Sequence, residues 1–139
     1  MNDDCHFCHF KNKYLILKEY KYWNLSLSES QVLIGWCQAS LKRHILFFEE
    51  LDDKELQELK TVVSDWKRMV EKFHPDWFNV MQMGNLVKHL HFQLVPRYKN
   101  EVKYEKRIFT DKSYGRPVLD IWEPEKDEFL LRLKRHLLQ

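Results

Sequence analysis

The stretch LDDKELQELKTVVSDWKRMVEKFHP, residues 51–75, constrains the fold more than any other. Its apolar residues are Leu56, Leu59, Val62, Val63, Trp66, Met69, Val70 and Phe73, at steps of 3, 3, 1, 3, 3, 1 and 3. That spacing draws one stripe along an amphipathic helix. Asp52 or Asp53 is suited to cap its start, and Pro75 ends it. A helix with a single apolar stripe must bury it against another layer, so the rest of the chain has to supply an apolar surface.

Short β-like runs supply it. Tyr14–Leu17 is one; Tyr20, Tyr22, Leu25 and Leu27 form a second, near the polar break at 26–30. VLIGWCQASL (32–41) reads as a mostly buried strand. Residues 77–83 and 87–96 read as two strands joined by a tight turn at Gly84–Asn85. Residues 99–116 are charged and irregular. Pro124 suits the first turn of a last helix, with Phe129, Leu130, Leu133 and Leu137 as its stripe. These elements predict one α+β domain over residues 1–139, mostly antiparallel.

Composition excludes several function classes. With 139 residues the chain suits one domain. The net charge of +2 comes from interspersed acids and bases, so no strong field favours specific nucleic-acid or membrane binding. No apolar run approaches the roughly 18 residues of a membrane span. The N-terminus carries acids where a secretory signal has bases, which predicts a cytoplasmic protein. There, three cysteines are thiols or metal ligands rather than a disulfide framework.

The chemistry-bearing residues gather in two places. In KHLHFQLVPR, residues 88–97, His89, His91 and Gln93 fall at alternate positions. On a strand they share one face, about 7 Å apart at each step, while Leu90, Phe92 and Leu94 enter the core. Such a row can bind a metal, hold a phosphate, or do covalent chemistry with a neutral imidazole; it can also be a solvated polar face. The second place is CHFCH, residues 5–9. As C-x-x-C-H it matches a haem attachment site, although haem attachment belongs to exported proteins. As a redox C-x-x-C it lacks the expected βαβ context. As half of a zinc site it needs two more ligands, for which His44 and one of His89 and His91 are candidates.

Taken together, the C-x-x-C, the LKRH before the long helix, and GNLVKHLHFQLVPRY resemble the histidine-triad (HIT) superfamily of nucleotidyl hydrolases and transferases. The resemblance covers roughly residues 5–98. The sequence departs from the pattern twice: Gln93 stands where most small members have a third histidine, and Leu41 replaces the usual proline before Lys42-Arg43-His44. The resemblance implies an antiparallel sheet of about five strands with a long helix and a C-terminal helix packed on it, and a homodimer whose sheets meet edge to edge. It implies His91 as the nucleophile that takes a nucleotidyl group, with Gln93 donating to a phosphate oxygen. It implies structural zinc on Cys5, Cys8, His44 and His89. Gly84, Asn85 and Asn79 would lie near the phosphates.

Some residues carry two readings. Arg97 could hold a phosphate, a carboxylate or a dimer partner. The five tryptophans fit core and interface roles better than base stacking. His6, His9, His74 and His136 read as surface or packing residues, and Cys37 as a buried thiol. Two rival functions stand beside the enzyme: a non-enzymatic nucleotide- or partner-binding protein on the same fold, and a small zinc module whose histidines serve metal alone.

Overall fold

A computed structural model describes residues 4–118 and 122–139. Among these residues, seven strands and two α-helices run in the order β1 (Ile16–Glu19), β2 (Trp23–Leu27), β3 (Cys37–Leu41), α1 (Asp53–Val70), β4 (Trp77–Gln82), β5 (His91–Arg97), β6 (Val102–Tyr104), β7 (Arg107–Phe109) and α2 (Asp127–Leu138). Five strands form one antiparallel sheet, as the resemblance implies, and their order is β1-β2-β3-β5-β4.

The period-2 pattern sorts the two faces of that sheet. Trp23 pairs with Leu41, Leu25 with Ala39, Ala39 with Phe92 and Cys37 with Leu94, so these side chains share a face. Helix α1 packs on it through Val62, Trp66 and Val70, all fully buried. Two indoles fix the layer: Trp23 Nε1 donates to the Glu55 carbonyl at 2.8 Å, and Trp66 Nε1 donates to the Gly35 carbonyl at 3.0 Å. The opposite face carries Asn24, Ser26, Gln38, Ser40, His91 and Gln93 in register. That polar row lies beneath the N-terminal segment.

The start of α1 follows its sequence. Asp52 caps it, accepting from Glu55 N at 2.8 Å, while Glu55 returns a bond to Asp52 N. After Val70 the helix tightens to a short turn through Phe73, and His74 adopts φ 54° to leave it before Pro75.

Four expectations change. The run 32–41 is buried, but only Cys37–Leu41 is strand. Gln31 holds the preceding residues as a loop, donating to the Ser28 and Trp36 carbonyls and accepting from Gly35 N. Gly35 sits at φ +95°, and a Cβ there would meet Val70 Cγ1 at 2.8 Å. The link from β4 to β5 is not a tight turn at Gly84–Asn85. It runs from Met83 to Leu90, because Leu90 N donates to the Ile45 carbonyl and the Leu90 carbonyl accepts from Leu41 N. Residues 99–116 are not wholly irregular: β6 and β7 form a hairpin there, turning at Glu105 with φ 55°. No glycine marks that turn. Pro124 precedes α2 rather than entering it, and bridges to Ser30.

Candidate functional site

The structure brings the C-x-x-C, His44 and His89 to one point. Cys5 Sγ lies 3.3 Å from His89 Nδ1, and Cys8 Sγ lies 3.3 Å from His44 Nδ1 and 3.6 Å from His89 Nδ1. The two Nδ1 atoms are 3.0 Å apart, and all four donor atoms lie within 4.8 Å of one another. Zinc bonds of about 2.3 Å to sulfur and about 2.0–2.1 Å to nitrogen, at tetrahedral angles, require donors about 3.3–3.8 Å apart. The donor set is Cys₂His₂, the closed four-ligand kind that suits a structural rather than a catalytic zinc. Its outer contacts also fit a metal. His89 Nε2 donates to the Leu41 carbonyl at 2.6 Å, which leaves Nδ1 unprotonated toward the sulfurs. The backbone of Cys8 donates to Cys5 Sγ at 3.4 Å. Burial pushes the Cys5 thiol up and the His89 imidazole down from their ordinary pKa values. The fit is therefore to a bound cation that replaces the thiol protons.

His91 opens β5 two residues further on. Its Nδ1 lies 2.7 Å from the His89 carbonyl. A carbonyl only accepts, so Nδ1 carries the proton and Nε2 presents a lone pair. His91 is 7% exposed, and this burial holds its pKa below the ordinary imidazole value. Phe7, between the two cysteines, supplies part of that cover: its ring centroid is 4.7 Å from that of His91 and 5.7 Å from that of His89.

Gln93 follows on the same face, opposite Gln38. Its Oε1 accepts from Trp36 Nε1 at 2.7 Å and from Gln38 Nε2 at 3.4 Å. Around it, Ser26 and Ser40 are buried, and Ser26 Oγ and Asn24 Oδ1 have no hydrogen-bond partner among the described residues. A small cavity of about 90 Å³ adjoins this floor, lined by His6, Phe10, Leu15, Leu27, Glu29, Gln38 and Trp122.

The remaining expected residues divide. Gly84 and Asn85 lie in the loop that leaves β4 at Gln82, and Gln82 itself pairs with Phe92, the residue after His91. Asn79 is not brought to the histidines. It pairs with Val95, four residues from His91 and so about 13 Å along the strand, and its Oδ1 accepts from Arg97 Nη1 at 2.7 Å. Arg97 meets a carboxylate: it forms a buried ion pair with Asp111 at 2.7 Å. Cys37 is fully buried, with its thiol pKa pushed up by desolvation. Phe7 and Trp36 were missed as site residues. Phe7 had a signal in its position inside the C-x-x-C. Trp36 had none, because its indole reaches Gln93 only through the sheet register.

The fold has counterparts among solved structures. A hypothetical histidine triad nucleotide-binding protein from Sulfolobus tokodaii is 18% identical, with TM-score 0.72, over 96% of this chain and 89% of that one. A histidine triad protein from Marinobacter aquaeolei is 24% identical, with TM-score 0.70, over 88% and 84%. A zinc-bound histidine triad family protein from Mycobacterium smegmatis is 17% identical, with TM-score 0.68, over 96% and 93%. No family model matches the sequence, and no curated protein does. The likeness is one of fold: this chain has the α+β histidine-triad fold. Among the described residues no helix is long and apolar enough to cross a membrane.

Proposed function

We propose that the protein is a nucleotidyl hydrolase or transferase working through a nucleotidyl-histidine intermediate. One observation carries the reading. The His89 carbonyl holds the proton of His91 on Nδ1, so Nε2 offers its lone pair beside an oriented amide at Gln93. His91 Nε2 attacks the α-phosphorus of a nucleotide. A P–N bond forms, and the bond from phosphorus to the leaving group breaks, its electron pair departing with that group. Water or a second acceptor then attacks the same phosphorus and returns the pair to Nε2. Burial favours the neutral imidazole, the form that can attack. The Gln93 NH₂ donates to a non-bridging phosphate oxygen as charge develops. Glutamine carries no proton to a leaving group, so phosphates and other good leaving groups are favoured.

Gly84 and Asn85, in the loop between β4 and β5, would offer backbone N–H groups to the phosphates. Asn79 would need another partner than His91's substrate phosphate as the strands stand. When bound, zinc would tie Cys5 and Cys8 to His44 and His89, fixing the carbonyl that orients His91. Reduced cysteines suit a cytoplasmic setting. A homodimer also fits. The edge strand β4 exposes Trp77 and Val80, with Leu46, Phe47, Phe48 and Met83 exposed as well.

The cover over His91 supports a second reading, a nucleotide- or partner-binding protein without chemistry. Rapid quenching in mild alkali, with a panel of a phosphoramidate, a dinucleoside polyphosphate, a nucleotide sugar and an adenylyl sulfate, separates the two. A nucleotidyl adduct on His91 supports the enzyme. Nucleotide bound with neither adduct nor product supports the binding protein.

A further inference from the structure

The direction in which Gln93 presents its amide decides what it can do for an anion. An NH₂ toward the phosphate attracts; a carbonyl oxygen there repels. The backbone of β5 does not choose between them, since the two orientations are nearly the same shape. The choice comes from the neighbour. An indole Nε1–H only donates, so the Gln93 atom at 2.7 Å from Trp36 Nε1 must be the oxygen. Gln38 Nε2 adds a second, longer donor to the same oxygen at 3.4 Å.

The register gives the side from which Trp36 comes. Ser40 lies opposite His91 and Gln38 opposite Gln93, so Trp36 approaches from the end of β3 away from His91. It draws the oxygen to that side and leaves the NH₂ for the side of His91. No described residue accepts a hydrogen bond from that NH₂. The loop that presents Trp36 is itself fixed. Its carbonyl accepts from Gln31 Nε2 at 2.7 Å and from Ser28 N at 3.0 Å. The two residues before it are pinned through Tyr98 Oη to the Ile34 carbonyl at 2.7 Å and through Trp66 to the Gly35 carbonyl. Four buried anchors for one partly buried indole make a rigid mount.

We infer that Trp36 is a positioning residue: its indole N–H sets the orientation of Gln93 so that the amide NH₂ faces the phosphate attacked by His91. The inference rests on the nucleotidyl-transfer reading and adds a residue to it. Trp36→Phe keeps a ring and removes the donor, freeing Gln93 to turn over.

The test is a double-mutant cycle of Trp36→Phe and Gln93→Ala, measured by single-turnover formation of the His91 adduct. Removing a donor to developing charge costs about 10²–10³ in rate, so Gln93→Ala should fall by that much and Trp36→Phe by about tenfold. Their effects on nucleotide affinity should be less than about twofold, since the contact strengthens in the transition state. In the Gln93→Ala background, Trp36→Phe should cost nothing further. The ¹⁵N resonance of the Trp36 indole should also move in Gln93→Ala, and the far-ultraviolet spectrum and unfolding midpoint of each variant check the fold. Equal rate losses from Trp36→Phe in both backgrounds would overturn the inference, as would an indole resonance unmoved by Gln93→Ala. A wild type that forms no adduct with any substrate overturns the reading beneath it. A reactive wild type beside an equally reactive Trp36→Phe overturns the inference alone.

Discussion

Replacing Arg97 by Met should destabilise this fold more than most single changes, and the structure gives the size. Arg97 and Asp111 side chains are only 3% and 2% exposed. The guanidinium donates to Asp111 Oδ2 from Nε at 2.7 Å and to Oδ1 from Nη2 at 3.0 Å. It also reaches Asn79 Oδ1 and the carbonyls of Ser113 and Arg116. Without it, Asp111 keeps only the N–H groups of Tyr98 at 3.2 Å and Ser113 at 3.3 Å. An unpaired buried carboxylate costs about 3–5 kcal/mol. With a urea slope of about 2 kcal/mol per molar, the unfolding midpoint should fall by about 1.5–2.5 M.

Acid provides an internal check on that value. Desolvation raises the Asp111 pKa, but the Arg97 hydrogen bonds and the two N–H groups outweigh it and hold the carboxyl below its ordinary value. Its contribution to stability is therefore full above the unfolded carboxylate pKa of about 3.9 and fades as pH falls through the lower native value. In Arg97→Met the native value moves up. The gap between variant and wild type should narrow on acidification as the orphaned carboxylate takes a proton. Arg97→Met combined with Asp111→Leu should recover most of the loss. A cost below about 1 kcal/mol at pH 7, or a gap that does not shrink in acid, would refute the reasoning.

Further expectations concern the site and the edge. The purified protein should carry about one zinc per chain by metal analysis, lost in Cys8→Ala and kept in Cys37→Ala; zinc retained without Cys8 would break the Cys₂His₂ assignment. Phe7→Ala should uncover His91 and raise its pKa toward the ordinary 6.5, read by NMR titration of the ring or as an upward move of the acid limb of the rate profile. No rise would mean that Phe7 is not part of the cover. Val80→Glu, on the exposed edge strand, should convert a dimer to monomers in sedimentation at micromolar concentration, while a dimer that survives the change must use another face.

Much of the architecture was legible because it rests on periodicity. The single stripe from Leu56 to Phe73 requires a helix on an apolar face, and the alternation from Leu90 to Leu94 requires a two-faced strand. The metal cluster was legible only in part. Cys5 and Cys8 advertise a half-site by spacing, but His44 and His89 join it through the fold, which the resemblance supplied. Other features depend on long-range bonds that leave no local trace. Gln31 turns an apolar run into a loop, and the Leu90–Ile45 pairing lengthens the link before β5. The turn at Glu105 has positive φ without glycine or asparagine, so its hairpin was hidden by its own charges. Asn79 was expected near the phosphates from the resemblance alone; the register pairs it with Val95 and its Oδ1 accepts from Arg97, contacts that leave no local trace.

The central claim is a covalent bond at His91. Mixing the protein with the substrate panel, quenching between milliseconds and seconds in mild alkali and weighing the intact chain tests it most directly. The account predicts a mass increase of one nucleotidyl group, mapped to His91 and absent in His91→Ala, with turnover in that variant down far more than tenfold. Nucleotide that binds without any adduct, or an adduct on another residue, would contradict it.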